Sequence, residues 1–443
     1  MRVLTREKIE GIFTPDFIAT FFNYLGQYGL RVGLIIVIPL FLDGVTKGYW
    51  FTFGSVAALS MLADLGFTTI ITQFSAHEFT YFSFEKGKRK IDNNGQDLAQ
   101  IASLFKFSIK WSLVATIVSS LLIFTVGTIL FAAKDDNVSW LLPWILYVLA
   151  TGLQFFFSVC CAFFEGCKCI SICQKIKLTS NIINSVLSIG MLIMGCGLYA
   201  LSVPLALSSS VSLILIAIVF GDFIKQLTAT QTDNIKQWIK PIVNLLWRYA
   251  ISWFSGYIIY QIYTPLSFAK YGAEMSGKVG YTLTIVSAIV SFSGIWNYIS
   301  IPHVNCYVEK KDWSTLDRFF KRNLLLIEGT YVLLLAALSL LIIIPLTRDF
   351  ISKYILLGLP LICLIIGYAV QMATAYIAVY LRAHKEEPLM YSSMVTALIA
   401  LVITFISVSF FDYRFIFCGF CLATTLVFPW VCSIFKSRRK VLH

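Results

Sequence analysis

Twelve apolar runs, each roughly the length of a membrane crossing, constrain this chain more than any other feature. They lie near residues 17–42, 48–73, 105–132, 139–164, 176–196, 199–221, 246–270, 277–301, 324–346, 353–381, 389–411 and 414–435. A hydrocarbon core of about 30 Å is crossed by a helix of about 20 residues. In lipid, backbone N–H and C=O groups must be satisfied within the segment, which leaves helices for runs of this length. The expected fold is an all-α polytopic membrane protein with about twelve transmembrane helices in two six-helix bundles around a central cavity. Composition agrees: 58% of residues are apolar and 13% charged, and mean hydropathy is +0.80. A soluble domain needs a charged surface over one core and does not carry that balance. The first sixteen residues are polar, with Arg2, Arg6 and Lys8. The run after them is too long for a signal-peptide core, so it is expected to stay as the first span.

The net charge of +12 reads as topology, not as nucleic-acid binding. With the N-terminus inside, 27 of the 35 Lys and Arg residues fall in inner segments and seven in outer ones: Lys47, Lys134, Lys270, Lys278, Arg348, Lys353 and Arg414. That asymmetry assigns both termini to the cytoplasm. No zinc-finger or RNA-binding signature is present, so nucleic acid is not an expected partner. The loops are too short for a nucleotide-binding domain, and no Gly-x-x-x-x-Gly-Lys-Ser/Thr motif exists. Cys160, Cys161, Cys167, Cys169 and Cys173 cluster. Without paired Cys-x-x-Cys spacing they read as reduced small hydrophobes, not metal ligands.

The halves echo each other. Pro39-Leu40 precedes Gly48-Tyr49-x-x-Thr52-x-x-Ser55, as Pro265-Leu266 precedes Gly280-Tyr281-x-x-Thr284-x-x-Ser287. Gln154 and Lys168 match Gln371 and Lys385. A repeat offset by six helices keeps its orientation, so its axis lies along the membrane normal. The expected division is a bundle at 1–221, a cytoplasmic linker at 222–245 with an interfacial amphipathic stretch at 235–245, and a bundle at 246–443.

Polar residues inside the spans are the candidate site. Arg31 near the middle of the first span costs about 2.5–3.5 kcal/mol on insertion scales, so it is expected to face water or a partner. Gln27 lies four residues before it and Asn23 one turn earlier, on one face with Tyr28 nearby. These, with Lys270, Gln261 and Asn297, are the candidate cavity residues. Gln371 is another mid-span amide, and such groups also serve as helix–helix contacts. Asp64 has two readings, ion coupling or a cap at a helix break beside Gly66; Glu328 is the other acid placed for coupling. His303 after Pro302 reads as structural. No Ser-His-Asp set, HExxH motif or catalytic carboxylate pair is found, so an enzyme is not expected.

The run Gly48-Tyr49-Trp50-Phe51-Thr52 leading to Leu62-Ala63-Asp64-Leu65-Gly66-Phe67 resembles the second-helix motif of Wzx-type O-antigen and capsular polysaccharide flippases. So does Tyr380-Leu381-Arg382-Ala383-His384-Lys385-Glu386-Glu387-Pro388, and the stretch from Lys270-Tyr271-Gly272 to Gly277-Lys278-Val279-Gly280-Tyr281 is similar to that family's entry to its eighth helix. The family is the polysaccharide transport branch of the MATE-like MOP flippase superfamily. The resemblance implies transfer of undecaprenyl-diphosphate-linked oligosaccharide units from the cytoplasmic to the periplasmic leaflet of a bacterial inner membrane. It implies membrane lipids, a polysaccharide polymerase and a chain-length regulator as partners. It implies no cofactor beyond proton or sodium coupling. A diphosphate favours a cationic path, which gives Arg31 a role. A MATE-like drug antiporter and a membrane glycosyltransferase or polymerase are the alternatives. The first favours anionic cavity residues, the second a large outer catalytic loop.

Overall fold

The computed structural model describes residues 15–80, 82, 84, 98–134, 136–232, 235–384 and 388–442. Lys385, Glu386 and Glu387 of the second family-like motif lie outside these, as does most of the loop before residue 98.

The chain is an all-α, multi-pass membrane protein. Ten helical segments among the described residues are long and apolar enough to cross a membrane. They coincide with ten of the twelve expected spans. The two others are helical as well: α1 (Pro15–Phe41) and α10 (Ile239–Gln261). Of α1, Val32–Phe41 forms the apolar part. The polar stripe around Gln27 dilutes the rest of α1. The seventh span breaks at Ile262 between α10 and α11 (Tyr263–Tyr271).

The first compact unit comprises residues up to Leu42 and Val56–Trp253. It contains α1, then Met61–Asp64 (α3), Phe67–Glu78 (α4), Ala99–Ala132 (α5), Leu141–Gly166 (α6), Ile170–Ile193 (α7), Tyr199–Val219 (α8) and Gly221–Ala229 (α9). Its core is aromatic: Phe164 stacks on Phe220 at 4.0 Å, and Phe67 stacks on Trp111 at 5.7 Å. Cys160, Cys161, Cys167, Cys169 and Cys173 belong to that core. Burial pushes the Cys167 thiol, in the turn between α6 and α7, well above its ordinary range. Lipid offers no hydrophobic drive between helices, so small residues set the close contacts. α7 and α8 accordingly bury Ser180, Ser185, Ser188, Ser208, Ser209 and Ser212, and Ser180 Oγ donates to the Ser208 carbonyl at 3.4 Å. The 235–245 stretch packs on this unit. Trp238 and Ile242 are buried in its core, and Trp238 Nε1 donates to Ser103 Oγ at 2.8 Å. Ile239 and Val243 of the same stretch stay exposed.

The second span is broken. A 3-10 turn at Ala58–Ser60 precedes α3, and Leu65 and Gly66 then take left-handed φ values of 43° and 81°. Asp64 accepts from Thr68 N at 2.9 Å and Thr68 Oγ1 at 3.0 Å, so it caps the segment that restarts at Phe67. Of the two readings of Asp64, the capping geometry is the one found.

The second unit comprises Asp43–Ser55 and Phe254–His443. It thus takes in α2 (Gly44–Ala57) up to Ser55, which separates from the rest of the second span. The remaining helices are α11, Ala273–Ser293 (α12), Ile295–Glu309 (α13), Trp313–Ile343 (α14), Pro345–Tyr354 (α15), Leu359–Ala383 (α16), Met390–Phe410 (α17) and Cys418–Leu442 (α18). α2 crosses α12 through the two repeat motifs. A Cβ at Gly48 would fall on the Ala273 carbonyl, and one at Gly280 would fall on the Phe51 side chain. Thr52 Oγ1 meets Ser276 Oγ at 2.9 Å across this seam. The matched amides Gln154 and Gln371 sit in different surroundings in the two units. Gln154 accepts from Ser209 Oγ at 2.8 Å in the first. In the second, its counterpart Gln371 lines a polar cavity of about 20 Å³ with Thr396 and Thr424. That is room for about one water. The core of this unit is built on tyrosines, with Phe320 stacked on Tyr376 at 4.7 Å. Near its C-terminal end, Arg439 pairs with Asp317, which also accepts from Tyr380 Oη.

Candidate functional site

The first unit holds a chain of side-chain hydrogen bonds running from α1 through α7 to the end of α6. Asn23, only 5% exposed, donates through Nδ2 to Gln174 Oε1 at 2.7 Å. Its Oδ1 accepts from Asn181 Nδ2 at 3.1 Å. Gln174 Nε2 donates to Glu165 Oε1 at 3.1 Å, and Lys177 Nζ donates to the same oxygen at 2.6 Å.

Helical spacing explains the assembly. Gln174, Lys177, Asn181 and Asn184 fall at i, i+3, i+7 and i+10, one stripe along α7. α1 packs along α7, and Gly26 permits the approach, since a Cβ there would stand 2.6 Å from Leu178 Cδ1. Glu165 closes α6 one residue from its end, and the short turn to Ile170 folds it back beside the second turn of α7. Asn184 Oδ1, further along the stripe, is buried with no partner among the described residues. The stripe therefore ends in a free acceptor. The Lys177–Glu165 pair neutralises itself, with side chains 28% and 16% exposed. What the network offers is amide donors and acceptors held in a row.

Of the residues expected at the site, Asn23 is the one drawn into this network. Gln27 is half-buried on α1. The side chains of Tyr28 and Arg31 lie outside the described ones. Lys270 is exposed at the end of α11, and Gln261 and Asn297 are half-buried on α10 and α13. Asn297 Oδ1 and Glu328 Oε1 are buried without partners among the described residues. Among the described residues, no hydrogen bond or ion pair joins Lys270, Gln261, Asn297 and Glu328 to one another. Glu165, Gln174, Lys177 and Asn181 were not among the expected site residues. The expected fifth span began at 176, which left Lys177 among the inner-loop cations; α7 begins at Ile170 and takes Lys177 inside. The i, i+3, i+7 polar spacing was the available signal.

The class these features define is a polytopic, all-helical membrane protein of two helical units. More particularly, the fold is that of MATE transporters. An inward-facing multidrug resistance MATE family transporter of the MOP superfamily matches with a TM-score of 0.64 over 94% of each chain, at 13% identity. An outward-facing multidrug resistance MATE family transporter matches with a TM-score of 0.55 over 99% of each chain, at 13% identity. A MATE structure in complex with MaD3S matches with a TM-score of 0.54 over 96% of this chain and 97% of that one, at 16% identity. At such identities the likeness concerns the fold. No protein-family model matches the sequence, and no curated protein is significantly similar to it.

Proposed function

We propose that this protein is a flippase that moves undecaprenyl-diphosphate-linked oligosaccharide from the cytoplasmic to the outer leaflet of a bacterial inner membrane. The reading rests on one observation above the others: the row of amides Asn23, Gln174, Asn181 and Asn184 at span depth in the first unit. Sugar hydroxyls both donate and accept, and alternating amide groups match them. The lipid tail stays in the bilayer while the head moves along such a row. Arg31 on α1 supplies a cation for a diphosphate, by bidentate contact. The MATE fold supports a transporter and not an enzyme. The motifs that resemble polysaccharide flippases favour this cargo. O-antigen or capsular repeat units are the substrate class, with proton or sodium coupling.

A second reading, a MATE-like antiporter of small molecules, is favoured by the multidrug transporters that share the fold. The two separate in one experiment. Deleting the gene in a strain without a redundant flippase should leave lipid-linked repeat units facing the cytoplasm and no surface polysaccharide. Normal surface polysaccharide, with increased sensitivity to cationic drugs, would establish the antiporter instead.

A further inference from the structure

We propose that the second unit carries a phosphate-binding site on the side assigned to the outside, built from Lys47 and Lys353 at the Tyr354 ring with Lys278 near Lys47. The outer segments are poor in cations, as the topology rule requires. Three of their seven Lys and Arg residues nevertheless converge on one spot, brought from α2, α12 and α15.

Lys47 forms the floor. The residue is 6% exposed, and its Nζ lies 3.9 Å from the centroid of the Tyr354 ring. Lys353 Nζ addresses the same ring at 5.6 Å, so the two ammonium groups are no farther apart than the sum of those distances. Lys353 and Lys278 are the cations whose fields Lys47 feels, against Asp43 and Glu274. Neither carboxylate pairs with Lys47 directly. Asp43 Oδ2 accepts from the amides of Val45 and Thr46 at 3.2 and 3.3 Å. Glu274 faces Lys278 at 3.8 Å, a loose pair with side chains 70% and 35% exposed. No carboxylate stands within ion-pair distance of Lys47 among the described residues.

A buried ammonium needs a counter-charge. A ring face supplies attraction but no counter-charge, and two more cations stand nearby. A multiply charged anion with several acceptor oxygens completes the arrangement, and three ammonium groups supply the donors for it. A phosphate fits that description. The anchoring of the surroundings suits a built site: Leu356 N donates to Thr282 Oγ1 at 2.9 Å, and Tyr281 packs edge-on against Tyr354 at 6.2 Å. The site is built from residues of the second unit and does not depend on what the polar row of the first carries. The phosphate has two sources, a membrane phospholipid headgroup or a diphosphate reaching this side on another molecule.

The full chain in phosphatidylcholine nanodiscs, titrated with pyrophosphate, tests the site. Binding is followed calorimetrically, and protection of Lys278 and Lys353 from amine-reactive labelling is followed by mass spectrometry. Pyrophosphate should bind and protect both. Affinity should fall roughly tenfold or more in Lys353→Gln and in Lys278→Gln, as one charge-assisted contact is removed. It should hold in Lys134→Gln, which removes an outer cation of the first unit. Both substituted lysines are at the surface, so folding is not at stake; Lys47→Met, checked by size exclusion, is the stronger variant. Protection that appears with phosphatidylglycerol nanodiscs and not with pyrophosphate would assign the phosphate to a lipid headgroup. No protection by either, or an equal loss in Lys134→Gln, overturns the site. None of these outcomes bears on the flippase reading, which the gene deletion tests.

Discussion

Gly48→Ala tests the α2–α12 seam, because that glycine touches backbone where nothing can rotate aside. The added Cβ would stand 2.7 Å from Ala273 Cα and still closer to its carbonyl. Ordinary carbon contacts begin near about 3.5 Å, so the crossing must open by about 1 Å. Opening it parts Thr52 Oγ1 from Ser276 Oγ, now 2.9 Å apart, and Gly277 from Gly44, where a Cβ would already stand 3.1 Å from the carbonyl oxygen. Overpacking costs about 1–3 kcal/mol and the lost hydroxyl bond about 1 kcal/mol. The expected loss is therefore about 2–4 kcal/mol. Gly54→Ala on the same helix is the control, because a Cβ there meets nothing within 4 Å. It should be neutral or gain about 0.5–1 kcal/mol from helix propensity. Thermal challenge of both proteins in detergent, read by fluorescence size exclusion, gives the comparison. A Gly48→Ala protein as heat-resistant as the parent would refute the close crossing. A fall of equal size in Gly54→Ala would show that glycine flexibility, not contact, is being measured.

Breaking the Lys177–Glu165 pair should cost about 1–3 kcal/mol, between the ranges for exposed and for buried pairs because both side chains are partly exposed. Glu165→Gln and Lys177→Met should each lower the melting temperature, and the double variant should recover part of the loss; additive losses would mean the two do not interact. Gly66→Ala places a Cβ at φ 81° and should destabilise by about 1–2 kcal/mol, while Asp64→Asn should be milder than Asp64→Ala because it keeps an acceptor for Thr68; melting curves that rank the three otherwise would remove the capped break. Asp312 caps α14, and the hydroxyl and amide of Thr315 hold its carboxyl below the usual range. Its contribution is therefore present above the unfolded carboxyl's pKa and lost as pH falls through the lower folded value. Amide exchange at the start of α14 should rise on acidification relative to Asp312→Asn, and identical profiles would discount the cap.

Ten apolar spans were legible because the bilayer imposes its demand locally: length and hydrophobicity suffice, whatever the neighbours. Asn23 was legible for the same reason, as an amide that lipid does not welcome. Its partners were not. Lys177 looked like a loop charge because the start of α7 was set by hydropathy, and a Lys buried beside Glu165 erodes that signal. Nor could one strand of sequence tell that Asp64 caps a break, since the outcome depends on Leu65 accepting a left-handed φ.

The amino-acid sequence by itself determined that the chain is helical, crosses a membrane many times and repeats its halves, since each follows from solvent and periodicity along one segment. Only the tertiary structure decided that residues 43–55 join the second unit, that Asn23 meets Gln174 and Asn181, and that Lys47 lies against Tyr354. Those depend on how closely two backbones approach, which small residues such as Gly26, Gly48 and Gly280 permit but do not specify until their opposing helices are in place.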